Sequence, residues 1–313
     1  MLDNLVDSKK KEVFVGVLLV FLSAIAFSAK AIFIKLAYAY PVDAITLLAL
    51  RMLIATPFFL VMTILTSQNN SNTCLNLRDW ISIVALGLGG MYFSSLFDFM
   101  GLAYISAGME RSVLFLYPTF VVLISASISG KSIGNREILA LILSWSGMIL
   151  IAMNDMSFGK TSNTLLGVSF VLLSALSYAS YLVGSGHVIH KIGTQRFTAY
   201  SMMVACLACN FHFAATHTIA SLNLPLKVYE LGLGLAVVSM ILPIFLLNSG
   251  IRRIGSSTAS LISSIGPVST IFMAAVFLNE AITLSQFIGT SLVLIGVLNI
   301  TIPLSKKKGS VNT

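Results

Sequence analysis

A chain of 313 residues that is 57% hydrophobic and 10% charged, where soluble domains carry about 25% charged residues, with a mean hydropathy of +0.95, excludes a water-soluble fold. Its solvent is expected to be a lipid bilayer. The formal charge of +8 sits in short loops and tails, where it orients a membrane protein, and no nucleic-acid partner is expected. Three cysteines, Cys74, Cys206 and Cys209, have no framework spacing and imply neither disulfides nor a metal cage.

In chain order, apolar runs bounded by turn chemistry predict ten transmembrane helices, at 12–38, 43–66, 79–99, 109–129, 135–153, 164–186, 195–217, 228–249, 255–278 and 282–303. The longest charge-free runs exceed the ~20 residues that cross ~30 Å of hydrocarbon. Lys9-Lys10-Lys11 ahead of Val13 imitates a signal peptide, but apolar character continues through Ala39, so a retained first helix is expected. The connections, such as Tyr40-Pro41-Val42-Asp43, Ser67 to Asn76 and Gly193-Thr194, are too short to hold a further domain. With the N-terminus in the cytoplasm, that side collects Lys9, Lys10, Lys11, Arg78, Lys131, Arg136, Lys191, Arg196, Arg252, Arg253, Lys306, Lys307 and Lys308. The other side collects only Arg111, Lys160 and Lys227. The bias predicts a multi-pass protein with both termini cytoplasmic.

The chain also repeats itself. Adding 149 carries Gly101 onto Gly250, Ile105 onto Ile254, Pro118 onto Pro267 and Gly147 onto Gly296. An offset of 151 carries the stretch from Gly16 to Ala24 onto Gly167 to Ala175. Self-similarity on this scale fixes architecture ahead of any motif. The expected fold class is an all-α integral membrane protein of two five-helix repeats, 12–153 and 164–303. Because five is odd, the second repeat enters the bilayer from the opposite side. Inverted halves are a mark of secondary transporters, with the binding site near the midplane where the halves meet.

Gly266-Pro267, Phe277-Leu278-Asn279-Glu280, Gln286, Gly289 and Gly296 resemble the closing helix pair of the drug/metabolite transporter superfamily, within it the family with two EamA domains. The resemblance runs from Gly16 to Ile300. The first copy departs from it, with Lys131 where Glu280 stands and Ala140 where Gly289 stands. Lys35 and Arg51 look like the family's basic positions. The resemblance implies an inner-membrane carrier, most often an exporter of metabolites, amino acids or toxic compounds.

Charge at membrane depth marks a pathway by default. Lys30 lies about 27 Å from the cytoplasmic end of the first helix, Asp98 sits at a similar depth in the third, and Arg51 lies about 12 Å from the outer end of the second. Glu110 and Arg111 open the fourth. The second copy offers Tyr181, Met202, Leu247, Ala259 and Ser260 at the equivalent positions. A charged wall of Lys30, Arg51, Asp98, Glu110 and Arg111 is therefore expected to face an apolar and aromatic wall of Tyr178, Tyr181 and Asn248. Such a site suits a zwitterionic or amphiphilic metabolite. The structural alternative is that Lys30 pairs with Asp98 as a bridge, that Arg51, Arg111 and Lys35 snorkel to the interface, and that Glu110 merely complements a helix dipole.

Pro118 and Pro267 are expected to bend the fourth and ninth helices around the cavity. Asp98 and His212 are the candidates for carrying a coupling proton. No phosphate-cradling loop is present, so ATP-driven transport and cofactors are not expected. A nucleophile-and-base set at depth is missing, which speaks against an intramembrane enzyme. The function expected is a secondary carrier exporting a small-molecule substrate across the bilayer. The alternative is an uptake carrier or exchanger of the same fold for a phosphorylated or nucleotide-like metabolite.

Overall fold

The computed structural model of the chain describes residues 2–68, 75–130, 132–157 and 163–301. Cys74, Lys131, Lys160 and the run Lys306 to Lys308 lie outside the described residues. Among those described, every regular element is helical: α1 (Leu2–Ala37), α2 (Ala44–Gln68), α3 (Leu77–Leu86), α4 (Phe93–Leu102), α5 (Ala107–Leu114), α6 (Tyr117–Ser129) and α7 (Asn135–Ser157). Then follow α8 (Thr164–Ile192), α9 (Thr194–Thr216), α10 (Leu226–Ala236), α11 (Leu242–Ile254), α12 (Ser256–Ser263), α13 (Gly266–Leu278) and α14 (Leu284–Thr301). Short π-helical segments, Gly87–Tyr92 and Val237–Ile241, join α3 to α4 and α10 to α11.

Among the described residues, eight helical stretches are long and apolar enough to cross a membrane, and Gly266–Leu278 and Leu284–Asn299 are shorter apolar helices. These two fall in the ninth and tenth expected spans. The ninth is shortened because the helix stops between Ser263 and Gly266. Large apolar side chains such as Phe14, Leu53, Phe211 and Phe272 face outward, each more than half exposed, the pattern expected where lipid replaces water.

Pro118 and Pro267 do not bend continuous helices as expected; each sits in the first turn of a new helix, α6 and α13. A proline there lacks only an N–H that would have had no intrahelical partner, so the chain breaks at little cost. Both new helices end in left-handed residues, Gly130 (φ 64°) and Asn279 (φ 53°), which stand 149 apart. The π segments also coincide under that offset, although only Gly87-Leu88-Gly89-Gly90 has a sequence that advertises loose packing.

Tertiary contacts pair up under the same offsets. The α1/α11 crossing is at Gly16 and Gly250, where a Cβ on Gly250 would lie 2.4 Å from Val20 Cγ2 and 3.0 Å from the Gly16 carbonyl oxygen. The α4/α8 crossing repeats it: a Cβ on Gly101 would lie 2.5 Å from Val171 Cγ2 and 3.0 Å from the Gly167 oxygen. A polar contact is duplicated with it, since Ser23 Oγ donates to the Pro243 carbonyl at 2.8 Å and Ser174 Oγ to the Ser94 carbonyl at 2.7 Å. Small residues that let backbones touch are the main source of helix association in lipid, where burial of apolar surface gives no driving force.

The α7/α14 contact is as close. A Cβ on Gly147 would meet the Gly289 carbonyl oxygen at 2.4 Å, whereas one on Gly89 would meet nothing within 4 Å. Gly147→Val is therefore expected to cost about 1–3 kcal/mol by overpacking and to lower the melting temperature in detergent. Gly89→Ala should leave it unchanged within about 1 kcal/mol.

Candidate functional site

Three helices deliver charge to one point. Lys30 of α1 places its Nζ 2.6 Å from Asp98 Oδ2 of α4 and 3.3 Å from Glu110 Oε1 of α5. All three are buried, Glu110 completely. The ammonium is thus shared between two carboxylates, and Asp98 Oδ1 and Glu110 Oε2 have no hydrogen-bond partner. The expected Lys30–Asp98 pair is present, and Glu110 joins it as a third member.

Arg51 and Arg111 do not snorkel; both are buried. The Arg51 guanidinium lies over the Phe99 ring, 5.6 Å from its centre, and that of Arg111 lies 5.5 Å from the centre of the Phe27 ring. Neither makes an ion pair among the described residues, and the Nε of each lacks a hydrogen-bond partner. Gly266 leaves the notch that Arg111 occupies: a Cβ there would come within 2.7 Å of Arg111 Nη2. Lys35 also turns inward, donating to the Leu102 carbonyl at 3.1 Å.

These groups border a cavity of about 540 Å³. Of the eight expected site residues, Lys30, Arg51, Asp98, Arg111, Tyr178, Tyr181 and Asn248 line it. Glu110 does not; it stands behind Lys30, so its expected place on the wall is corrected. The far wall is aromatic: Tyr178 stacks on Tyr181 with centroids 6.2 Å apart, and Tyr117 meets Tyr178 edge-on at 5.1 Å. Gly90, in the π segment, makes room for this wall, because a Cβ there would fall 2.1 Å from Tyr181 Cβ. π segments recur at functional sites.

Phe27, Ser94 and Tyr117 also line the cavity and were not among the expected site residues. The repeat held a signal for one of them, since Phe27 is the counterpart of Tyr178 at an offset of 151. Lys30/Tyr181, Arg51/Met202, Asp98/Leu247 and Met91/Met240 are likewise counterparts that line it together. Glu280 takes another part. Its oxygens accept from the backbone N–H groups of Ala107 at 3.0 Å and Gly108 at 3.4 Å, anchoring the N-terminus of α5, which carries Glu110 and Arg111. His212 is bonded to the Tyr92 hydroxyl.

The EamA-like transporter family matches twice, over residues 14–153 and 165–302. The chain belongs to this family. It is therefore a membrane transporter of the drug/metabolite transporter superfamily, crossing the bilayer several times. An uncharacterized transporter of Bacillus subtilis, YcbK, is 33% identical over 288 residues, covering 90% of this chain and 91% of the relative. An uncharacterized transporter of Archaeoglobus fulgidus is 24% identical over 262 residues, covering 81% of this chain and 87% of its own. A protein known from a crystal structure aligns over 91% of this chain and 96% of its own, with a TM-score of 0.56 and 17% identity, a likeness of fold alone.

The Lys30 cluster is built around a charge that only its partners make tolerable. Breaking a buried ion pair by removing one member costs about 3–5 kcal/mol. Lys30→Met, which leaves two carboxylates face to face, is expected to lower thermal stability in detergent by an amount of that order. Adding Asp98→Asn to Lys30→Met should restore a large part of it.

Proposed function

We propose that this EamA-family transporter is a ten-helix secondary carrier. Its repeats, 12–153 and 164–303, are inverted in the cell's inner membrane with both termini in the cytoplasm. It exports small organic metabolites, amino-acid-like or amphiphilic, by alternating access. One observation carries the reading. The cavity extends from Lys30 and Asp98 to Ser185, Ile189, Thr198 and Ile251, toward the end of the bundle where Lys191 pairs with Asp79. The counterparts of Ser185, Thr198 and Ile251 at the opposite end are Ile34, Leu47 and Leu102, which are fully buried.

Equivalent positions in the two repeats thus line the cavity at one end and, at Ile34, Leu47 and Leu102, are packed at the other. Two inverted halves in unlike conformations become the opposite-facing state when they exchange conformations, with the site held between them. A hollow at the packed end, lined by Tyr38, Asp43, Met100 and Tyr104, shares no residue with the cavity. Lys30, Asp98 and Glu110 lie between the two. The positive-inside bias supports a cytoplasmic location for the open end, the side from which an exporter loads. The breaks before Pro118 and Pro267 supply joints beside the cavity, since Leu114, Tyr117 and Ser263 line it.

The test is transport by the purified protein in liposomes loaded with a defined metabolite mixture, with and without a pH gradient. A subset of compounds is expected to leave vesicles that contain the protein. Arg51→Gln should slow that efflux at least about tenfold, the loss of one charge-assisted contact. Efflux equal to that of protein-free vesicles, or steady ionic current of the kind a channel carries, would overturn the proposal.

A further inference from the structure

The two arginines carry the site further than a general metabolite carrier requires. We propose that the substrate is an anionic amphiphile, an organic acid whose carboxylate is held by Arg51 and Arg111 and whose apolar body lies against Tyr178 and Tyr181; this substrate class rests on reading the cavity as the transport site. The charges set the sign. Lys30, Arg51 and Arg111 outnumber the two carboxyl groups beside them, Asp98 and Glu110, so the surplus is positive. Lys30 is not the surplus, because both carboxylates are on it at 2.6 and 3.3 Å.

The surplus lies on the guanidinium groups. Arg51 is 6% and Arg111 9% exposed, both line the cavity, and each has an unpartnered Nε. Each lies over a ring, Phe99 and Phe27, and among the described residues neither has a carboxylate within ion-pair distance. A buried cation without a counterion is costly, and a guanidinium presents a planar fork of donors that matches a carboxylate. A ligand that brings the missing negative charge therefore binds where the protein alone is least satisfied.

Size and lining set the rest. A cavity of about 540 Å³ is far larger than an inorganic anion needs and falls within the usual range for small organic ligands. The stacked Tyr178 and Tyr181 offer a face for an aromatic or aliphatic body. A zwitterion would bring no net negative charge, and its ammonium would compete with Lys30 for Asp98. The positive surplus selects an anion.

The experiment is equilibrium binding to the purified wild-type protein in detergent, read as ligand-induced shift of thermal unfolding at constant ionic strength. The ligands are phenylacetate, indoleacetate and octanoate, their uncharged amides, phenethylamine and phenylalanine. At least one carboxylate is expected to raise the melting temperature in a saturable way, and to bind at least about tenfold more tightly than its amide, the worth of a charge-assisted pair. Phenethylamine and phenylalanine should be weaker still. Arg51→Gln and Arg111→Gln should each weaken the carboxylate about tenfold or more, with Arg51→Lys and Arg111→Lys in between.

Amides or the amine binding as well as the acids, phenylalanine binding better than phenylacetate, no carboxylate binding, or full affinity in both glutamine variants would each overturn the proposal. The wild-type ligand series decides it even if a variant fails to fold. Binding is measured without transport, so an inactive liposome preparation leaves this result intact. Efflux of cationic compounds alone would overturn the substrate class and leave the carrier reading standing.

Discussion

One lysine ammonium shared by two carboxylates, buried at the edge of the cavity, is the constraint around which the middle of this protein is arranged. In a low-dielectric interior an isolated ammonium would cost several kcal/mol or more. Lys30 is tolerable only because α4 and α5 bring Asp98 and Glu110 to within 3.3 Å of it. The need for that meeting explains neighbouring features. Glu280 clamps the start of α5, Ser28 Oγ donates to the Gly266 carbonyl at 3.0 Å, and Gly266 leaves space for Arg111.

Around this lopsided charge the backbone is close to duplicated. The glycine crossings of α1 with α11 and α4 with α8, the two serine-to-carbonyl bonds, the two π segments, the two helix breaks at proline and the two left-handed helix ends all map onto one another at offsets of 149 or 151. The side chains at the centre do not: Lys30, Arg51 and Asp98 face Tyr181, Met202 and Leu247. Symmetric backbone supplies equivalent joints in both halves, and asymmetric chemistry supplies a site with a charged side and an aromatic side. In the carrier proposed above, the first property serves movement and the second serves recognition.

Much of this was legible before any coordinates. Composition and run length gave the membrane class, the repeat gave the glycine and proline counterparts, and depth along a helix brought Lys30 and Asp98 together. What was not legible depends on contacts between distant segments. Glu110 reads locally as a charge in a helix's first turn, and only the approach of α1 and α4 makes it the second partner of Lys30. Arg111 reads as a snorkelling side chain until the space above Gly266 is seen. Proline in an apolar run signals a disturbed helix, but whether the helix bends or stops depends on the residues before it, and here Phe115-Leu116 and Ser264-Ile265 leave the helix altogether. The π segment at Val237–Ile241 has no glycine to announce it, and only its counterpart at Gly87–Tyr92 points there.

In the proposed carrier, one chamber between two inverted halves is open to one side at a time. Distances between spin labels in lipid nanodiscs test it most directly, with one pair at Thr194 and Arg252 and the equivalent pair at Asp43 and Ala103, all exposed. Across pH and organic-acid concentration, the two distances should change in opposite senses, the first shortening whenever the second lengthens. Distances that lengthen together, or a second pair that never moves while the first does, would contradict it.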